Sequence, residues 1–292
     1  MAAGNTAAGA GTLALVGPGR AGTTLTLALL ELGWEPVAVA GRAPDAPSTK
    51  AAAACLGTRT TLVSEAGRGA ALVVVATPDR AISAAACAVG PSLEPGALVL
   101  HLAGSVGLAA FDALREMRSD IRVGALHPLQ SFPSATMGVE RVPGAWAAVA
   151  GDPQTEELAR ALGMRAFALP DTERPLYHAA AVVASNHLVA LLGQVERLAA
   201  SAGVPFDAFA PLVRSSVANA FGVGPARALT GPVSRGDLAT VEEHLRTLDP
   251  AERDAYRALA REVARLTGRR DNALDRLLGD MRNASGDPDD DA

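Results

Sequence analysis

At 292 residues, with 49% of them apolar and only 3% aromatic, the chain can bury a full core and is expected to divide into two domains. A formal net charge of −5, with the basic residues scattered, excludes the clustered Lys and Arg of a nucleic-acid surface, so small molecules or a second copy of the chain are the expected partners. Lys50 is the sole lysine, which removes lysine as an acid, base or Schiff-base nucleophile from the second half.

Residues 1–11, "MAAGNTAAGAG", carry neither the positive start nor the apolar stretch of a signal peptide and are expected to be flexible. No apolar run approaches roughly 18 residues without a polar interruption, so no membrane association is expected and the cytoplasm is the expected location. From Thr12 to Pro170 short apolar runs alternate with alanine-rich helical stretches: "TLALVG", "PVAVAG", "ALVVVAT", "ALVLHLAG", "RVGALHP" and "AWAAVAG". That alternation predicts an α/β domain over 12–170, a Rossmann-type, doubly wound, mostly parallel sheet. The unbroken apolarity of "LVVVA" suits a strand buried on both faces. After Pro170 the strand pattern stops, and a long amphipathic helix through "LYHAAAVVASNHLVALLGQVERLAASAG" opens an all-helical second domain over 171–283. Further helices are expected near 205–220, 238–247 and 251–267. The tail 284–292, polar and acidic, is expected to be disordered.

Ligands of an open parallel sheet sit beyond the carboxyl ends of its strands. After the first strand, "GPGRAG" spans Gly17, Pro18, Gly19, Arg20, Ala21 and Gly22. Its glycines provide a tight turn, close backbone approach to a pyrophosphate, and close helix packing, the phosphates meeting free N–H groups at the helix start. At the end of the second strand an NAD site would place an acid for the ribose hydroxyls. This chain has Gly41 and Arg42, and with Arg20 opposite, a 2′-phosphate and hence NADP is the expected cofactor. In "ATPDRAI", Thr77, Pro78 and Asp79 read as a helix cap, first helical position and first turn, and Thr77 and Pro78 also stand where a nicotinamide would run. "HLAGSVG" and "LHPLQSFP" then bring His101, Ser105, His127 and Gln130 to neighbouring strand ends. A histidine there can pass a proton to or from a carbonyl or alcohol oxygen. Ser105 reads equally as the cap of the following helix. On the long helix His178 and Ser185, with Asn186 beside it, share a face, either toward a ligand or in a buried polar network. In "LTGPVSRGD", Asp237 reads as a cap and Arg235 as a grip for a substrate carboxylate. Cys55 and Cys87 form no Cys-x-x-Cys pair and no histidine spacing fits a metal, so neither disulfide nor metal is expected.

The set "VGPGRAG", "ATPD", "HLAGSVG", "LHPLQSFP", "YHAAAVVASN" and "LTGPVSRGD" resembles an uncharacterised bacterial family with a Rossmann-like N-terminal domain and a helical C-terminal domain of unknown function, from about Thr12 to Leu266. Its wider group holds 6-phosphogluconate and β-hydroxyacid dehydrogenases, ketopantoate reductases, prephenate dehydrogenases and deazaflavin-dependent NADP reductases. The resemblance implies NAD(P)-linked hydride transfer in a cleft and a homodimer formed through the helices. Asn186 matches the helix asparagine of the β-hydroxyacid branch, but the lysine of that branch is replaced by Val182. Ser105 and the His127-Pro128 pair match the prephenate branch, by which they would bind the reacting oxygen, although "LQSFP" departs from its pattern.

The resulting expectation is an NADP-dependent oxidoreductase for a small carbonyl or hydroxy acid, ketopantoate-like 2-oxo acids foremost. His127 is its proton donor or acceptor, Ser105 and Asn186 orient the oxygen, and His101, Gln130, His178, Ser185 and Arg235 meet the substrate. A non-catalytic NADP-binding sensor, a deazaflavin-dependent NADP reductase and a prephenate dehydrogenase-like activity are the alternatives.

Overall fold

The computed structural model describes residues 11–279, so the expectations for residues 1–10 and for the tail 284–292 lie outside the described residues. Contacts divide the chain into two compact units between Asn186 and His187. That division falls inside the long helix, later than the expected boundary after Pro170, because the first turns of the helix pack on the end of the sheet.

The first unit is built on an eight-stranded sheet in the order β3-β2-β1-β4-β5-β6-β7-β8. Its strands are β1 (Thr12–Val16), β2 (Glu35–Ala40), β3 (Thr60–Thr61), β4 (Leu72–Val75), β5 (Leu98–His101), β6 (Arg122–Leu129), β7 (Trp146–Gly151) and β8 (Arg165–Ala168). All neighbours run parallel except β6 and β7, which are antiparallel. The short β3 and the β8 strand "RAFA" had no apolar run to announce them. Side chains alternate between the faces with the period of two that a strand imposes. Leu13, Leu15, Leu72, Val74, Leu98 and Leu100 enter one core cluster, and Ala14, Val16, Val73, Val75 and Val99 the other. Both faces are therefore dry, as the uninterrupted apolarity of β4 requires. The chain builds β1 to β3 outward in one direction and returns to lay β4 on the opposite flank of β1. The β1/β4 junction is the point where strand order reverses and a crevice opens.

The sheet is accompanied by α1 (Arg20–Glu31), α2 (Pro47–Cys55), α3 (Ile82–Val89), α4 (Asp112–Met117), α5 (Ala135–Val139) and α6 (Gln154–Ala161). The short α5 is capped by Ser134, which accepts from the Met137 N–H. It is tied to α1 by the Thr24 hydroxyl, which donates to the Ala135 carbonyl at 2.9 Å.

β6 does not end before its His-Pro pair. His127 and Pro128 lie inside the strand, opposite Ala148 and Ala147 of β7. Pairing to β5 stops at Ala125, so this stretch has a partner on one side only. A residue without an N–H is tolerated at such an edge.

The helical run continues as α7 (Arg174–Val182), a π turn over Val183–His187 and α8 (Leu188–Ser201). By length and composition the run Asp171–Ser201 could cross a membrane, and none of its most apolar window is buried. The second unit adds α9 (Ala210–Val223), α10 (Pro225–Ala228), α11 (Pro232–Arg235), α12 (Leu238–Thr247), α13 (Pro250–Leu266) and α14 (Asn272–Leu278). Its core is small, formed by Val233, Val241, Leu245, Ala260, Ala264, Leu274 and Leu278. Asp237 caps α12 as expected, accepting from the Thr240 N–H at 3.2 Å. By contrast α9 buries none of its residues.

Candidate active site

A groove of about 1080 Å³ opens at the β1/β4 junction and is lined by Gly17, Pro18, Gly19, Arg20, Ala21, Gly22, Gly41, Arg42, Thr77 and Pro78, with Gln130 at one end. Every residue expected to touch a dinucleotide therefore lines this one groove. The three glycines of the loop act differently. Gly17 turns the chain at φ +90°, and a Cβ there would stand 2.6 Å from the Thr77 backbone nitrogen. Gly22 sets the helix against the sheet, a Cβ there falling 2.6 Å from the Ala76 Cβ and 2.9 Å from Leu15 Cδ1. Around Gly19 there is open space, the place where a phosphate can approach the backbone of the α1 start. Arg80, passed over in the sequence, joins Arg20 and Arg42, while no Asp or Glu lines the groove.

Thr77 is not the cap it was expected to be. Pro78 precedes a 3-10 turn over Asp79–Ala81 without any side-chain cap, and the Thr77 hydroxyl is buried with no partner. A proline at the first helical position would have left Thr77 free to cap. Here the 3-10 turn begins one residue later and leaves the hydroxyl beside the groove. Ser105 is likewise no cap: the next 3-10 turn starts from Gly107, and the Ser105 hydroxyl donates a hydrogen bond to the Asp79 carboxylate.

A second cluster of polar side chains gathers near the ends of β5 and β6. His127, half-buried, has its Nδ1 2.7 Å from the Tyr177 hydroxyl. Its ring meets those of Tyr177 and His178 edge-on, at centroid separations of 5.5 and 6.0 Å. Gly104 is wedged over both imidazoles: a Cβ there would stand 2.7 Å from His178 Cδ2 and 2.9 Å from His127 Nε2. Burial pushes the His127 pKa down to about 4, with the His178 and Arg174 charges adding to the effect and Asp79 opposing it. Burial raises the Tyr177 phenol to about 12. Both groups are therefore uncharged at neutral pH.

His101 is wholly buried at the end of β5, tilted against Phe111 at 5.3 Å. Its Nδ1 accepts from the Ala103 N–H at 3.2 Å. Burial, then the Arg174 charge, lowers its pKa to about 4, against the Gly107 backbone, Asp79 and Asp171. Arg174, which the sequence reading missed, is also fully buried. Its Nε donates to Asp171 at 2.9 Å, and the other oxygen of that carboxylate accepts from the Leu108 N–H at 2.8 Å. Arg-Pro before a helix reads as a surface start. Only the packing of α7 on the sheet turns this side chain inward.

The remaining expected residues are not brought to this cluster by any hydrogen bond. Ser185 and Asn186 fall in the π turn, where the Ser185 hydroxyl lies 2.7 Å from the Ala181 carbonyl and 2.9 Å from Asn186 Oδ1. A π turn changes the phase of the residues after it, so simple helical spacing overstates how far Ser185 shares the face of His178. Gln130 turns its Oε1 back on the Ser131 N–H. Arg235 is exposed at the end of α11 in the second unit. Among the described residues no cluster of His, Cys, Asp and Glu is arranged to hold a metal.

No curated protein matches the chain in sequence. Among solved structures it is 24% identical to a provisionally named NADP oxidoreductase, BF3122, from Bacteroides fragilis, over 87% of this chain and 98% of that one, with a TM-score of 0.77. It is 23% identical to protein TM1727 from Thermotoga maritima over 88% of this chain and 98% of that one, TM-score 0.64. An imine reductase from Myxococcus stipitatus, solved with NADP+, is 18% identical over 92% of this chain and all of its own length (100%), TM-score 0.61. These likenesses establish a Rossmann-type fold followed by helices. Residues 146–263, from β7 through most of α13, match the family described as Domain of unknown function (DUF2520), a match that takes in the last two strands as well as helices.

Proposed function

We propose that the chain is an NADP-dependent oxidoreductase that transfers a hydride between NADP(H) and a small carbonyl or hydroxy acid, ketopantoate-like 2-oxo acids being the first candidates. One observation carries the reading: the groove at the β1/β4 junction combines open space at Gly19 with Arg20, Arg42 and Arg80 and has no carboxylate in its lining. The N–H groups at the start of α1 suit a pyrophosphate, and Arg42 with Arg20 suits a 2′-phosphate. Thr77, Pro78 and Gln130 take the nicotinamide end. When bound, NADPH supplies the hydride.

His127 and Tyr177 handle the proton. The phenol donates to Nδ1, which places the imidazole proton on Nε2, facing the substrate oxygen. His127 gives that proton to the oxygen as hydride arrives at the carbon, and Tyr177 replaces it at Nδ1. The Arg174 charge stabilises the phenolate left behind, the same influence that works against the rise in the Tyr177 pKa. Asn186 orients the oxygen, whereas Ser105 acts through Asp79.

The exposed apolar residues Val189 of α8 and Leu212 and Phe221 of α9 support a homodimer formed through the helices. The helical run 171–201 also exposes Glu173, Asn186 and Arg197, a polar content that favours a protein partner over lipid. The two free cysteines, Cys55 and Cys87, agree with a reducing cytoplasm.

NADPH and NADH titrations, followed by an NADPH-oxidation screen over 2-oxo acids, prephenate and a deazaflavin, test the reading. Tight NADPH binding with turnover of a 2-oxo acid supports it. Binding with a change of shape and no turnover on any compound replaces it with the sensor.

A further inference from the structure

We infer that Arg174 is the seat for a carboxylate group on the substrate. The inference rests on the oxidoreductase reading for the substrate's reacting end, but its geometry stands apart from the groove. A guanidinium carries five N–H donors. In Arg174 the Nε–H is given to Asp171 at 2.9 Å, while Nη1 and Nη2 are buried and have no partner. Buried charged donors without acceptors are strongly disfavoured. The second Asp171 oxygen accepts from the Leu108 N–H and not from Arg174. The edge left over is the Nη1/Nη2 pair, whose parallel N–H bonds match the two oxygens of a carboxylate.

The Gly107 backbone favours a proton on the neighbouring His101 ring, whose Nδ1 accepts from the Ala103 N–H. The unmet donors are therefore those of Arg174, which an anion completes. Arg174 lies three residues before Tyr177 on α7, on the same side of the helix. Tyr177 holds His127, so a carboxylate on Arg174 would lie about one helical turn, roughly 5 Å, from the proton-transfer pair. That spacing suits a carboxylate a bond or two from the reacting carbonyl, as in a 2-oxo acid. The seat is closed to solvent as it stands. The loop Ala103–Gly107 packs against it, a Cβ at Gly107 overlapping the Asp171 carboxylate, so entry of a carboxylate requires that loop to lift.

The test is calorimetric titration of the full chain, with and without NADPH, using oxamate as a carboxylate that accepts no hydride and oxamide as its neutral counterpart. The wild-type protein is expected to bind oxamate at least about 10-fold more tightly than oxamide, and Arg174→Gln to erase that preference while NADPH affinity stays unchanged. Equal binding of the two compounds, no binding of oxamate, or loss of the preference in Arg235→Gln with Arg174→Gln unaffected overturns the inference. Where Arg174→Gln does not fold, Arg174→Lys, which keeps the charge but not the paired N–H edge, takes its place and is expected to weaken the preference. Oxamate binding that depends on Arg174, without NADPH oxidation by any 2-oxo acid, keeps the seat and removes the oxidoreductase reading. Turnover with equal kcat/KM for pyruvate and its methyl ester does the reverse.

Discussion

The Tyr177 hydroxyl and His127 Nδ1 stand 2.7 Å apart, which joins the second turn of α7 to the one-sided end of β6. Both groups are neutral at pH 7, so the bond can hand a proton along without first creating a charge. His127→Ala is expected to lower kcat by about 10²–10⁴-fold, and Tyr177→Phe by a smaller factor. NADPH affinity should be unchanged in both, since neither residue lines the groove. Steady-state kinetics beside an NADPH titration checks this, and full turnover in His127→Ala removes the assignment.

The depressed histidines give stability a defined pH dependence. Above pH 6.5 His101 and His127 are neutral in both folded and unfolded chains. Between 6.5 and about 4 the unfolded chain takes protons that the folded chain refuses. Stability therefore falls as pH drops through this window, by up to about 1.4 kcal/mol per pH unit for each histidine, and levels off below it. Urea melts of wild type and His101→Gln across pH 7 to 4 should show a shallower slope in the variant. For turnover, the acid limb tied to His127 should lie near pH 4 rather than 6.5.

Arg42 tests the cofactor choice. Replacing it by Asp removes a charge-assisted contact to a 2′-phosphate and puts a carboxylate where ribose hydroxyls would sit. NADPH affinity should fall by roughly 10–100-fold while NADH affinity holds or rises. An unchanged NADPH/NADH ratio would show that Arg42 is only a solvated surface group.

Gly22→Ala probes the packing that shapes the groove. The added Cβ would stand 2.6 Å from the Ala76 Cβ, an atom fixed directly to the backbone rather than the tip of a flexible side chain. A loss of about 1–3 kcal/mol is expected by urea denaturation. Gly19→Ala, with nothing within 4 Å, should leave stability nearly unchanged and weaken NADPH binding by crowding the phosphates.

The exposed face of α9 offers a test of assembly. Phe221 is 91% exposed, and a large aromatic so placed is expected at an interface. Phe221→Asp should shift a homodimer toward monomer in sedimentation or light scattering, leaving the sheet unit folded by circular dichroism.

The α/β alternation, the glycine loop and the missing acid after β2 were all legible from the chain, because each depends on a local period or on what one residue type allows its own backbone. The same holds for Asp237, whose cap needs only its neighbours three residues on. The β8 strand escaped because four mixed residues carry no periodic signal and are held by pairing to β7. Thr77 and Ser105 each kept a cap reading beside a ligand reading, because a hydroxyl near a helix start has more than one partner available, and the fold ruled out the cap in both. Arg174 and Tyr177 were passed over as the start of an amphipathic helix. Their place beside His101 and His127 arises from packing between segments roughly fifty to seventy residues apart. Local chemistry along the chain thus determined where a dinucleotide would lie, while the burial of one guanidinium and two imidazoles, which depends on what distant segments exclude from water, was decided only by the tertiary structure.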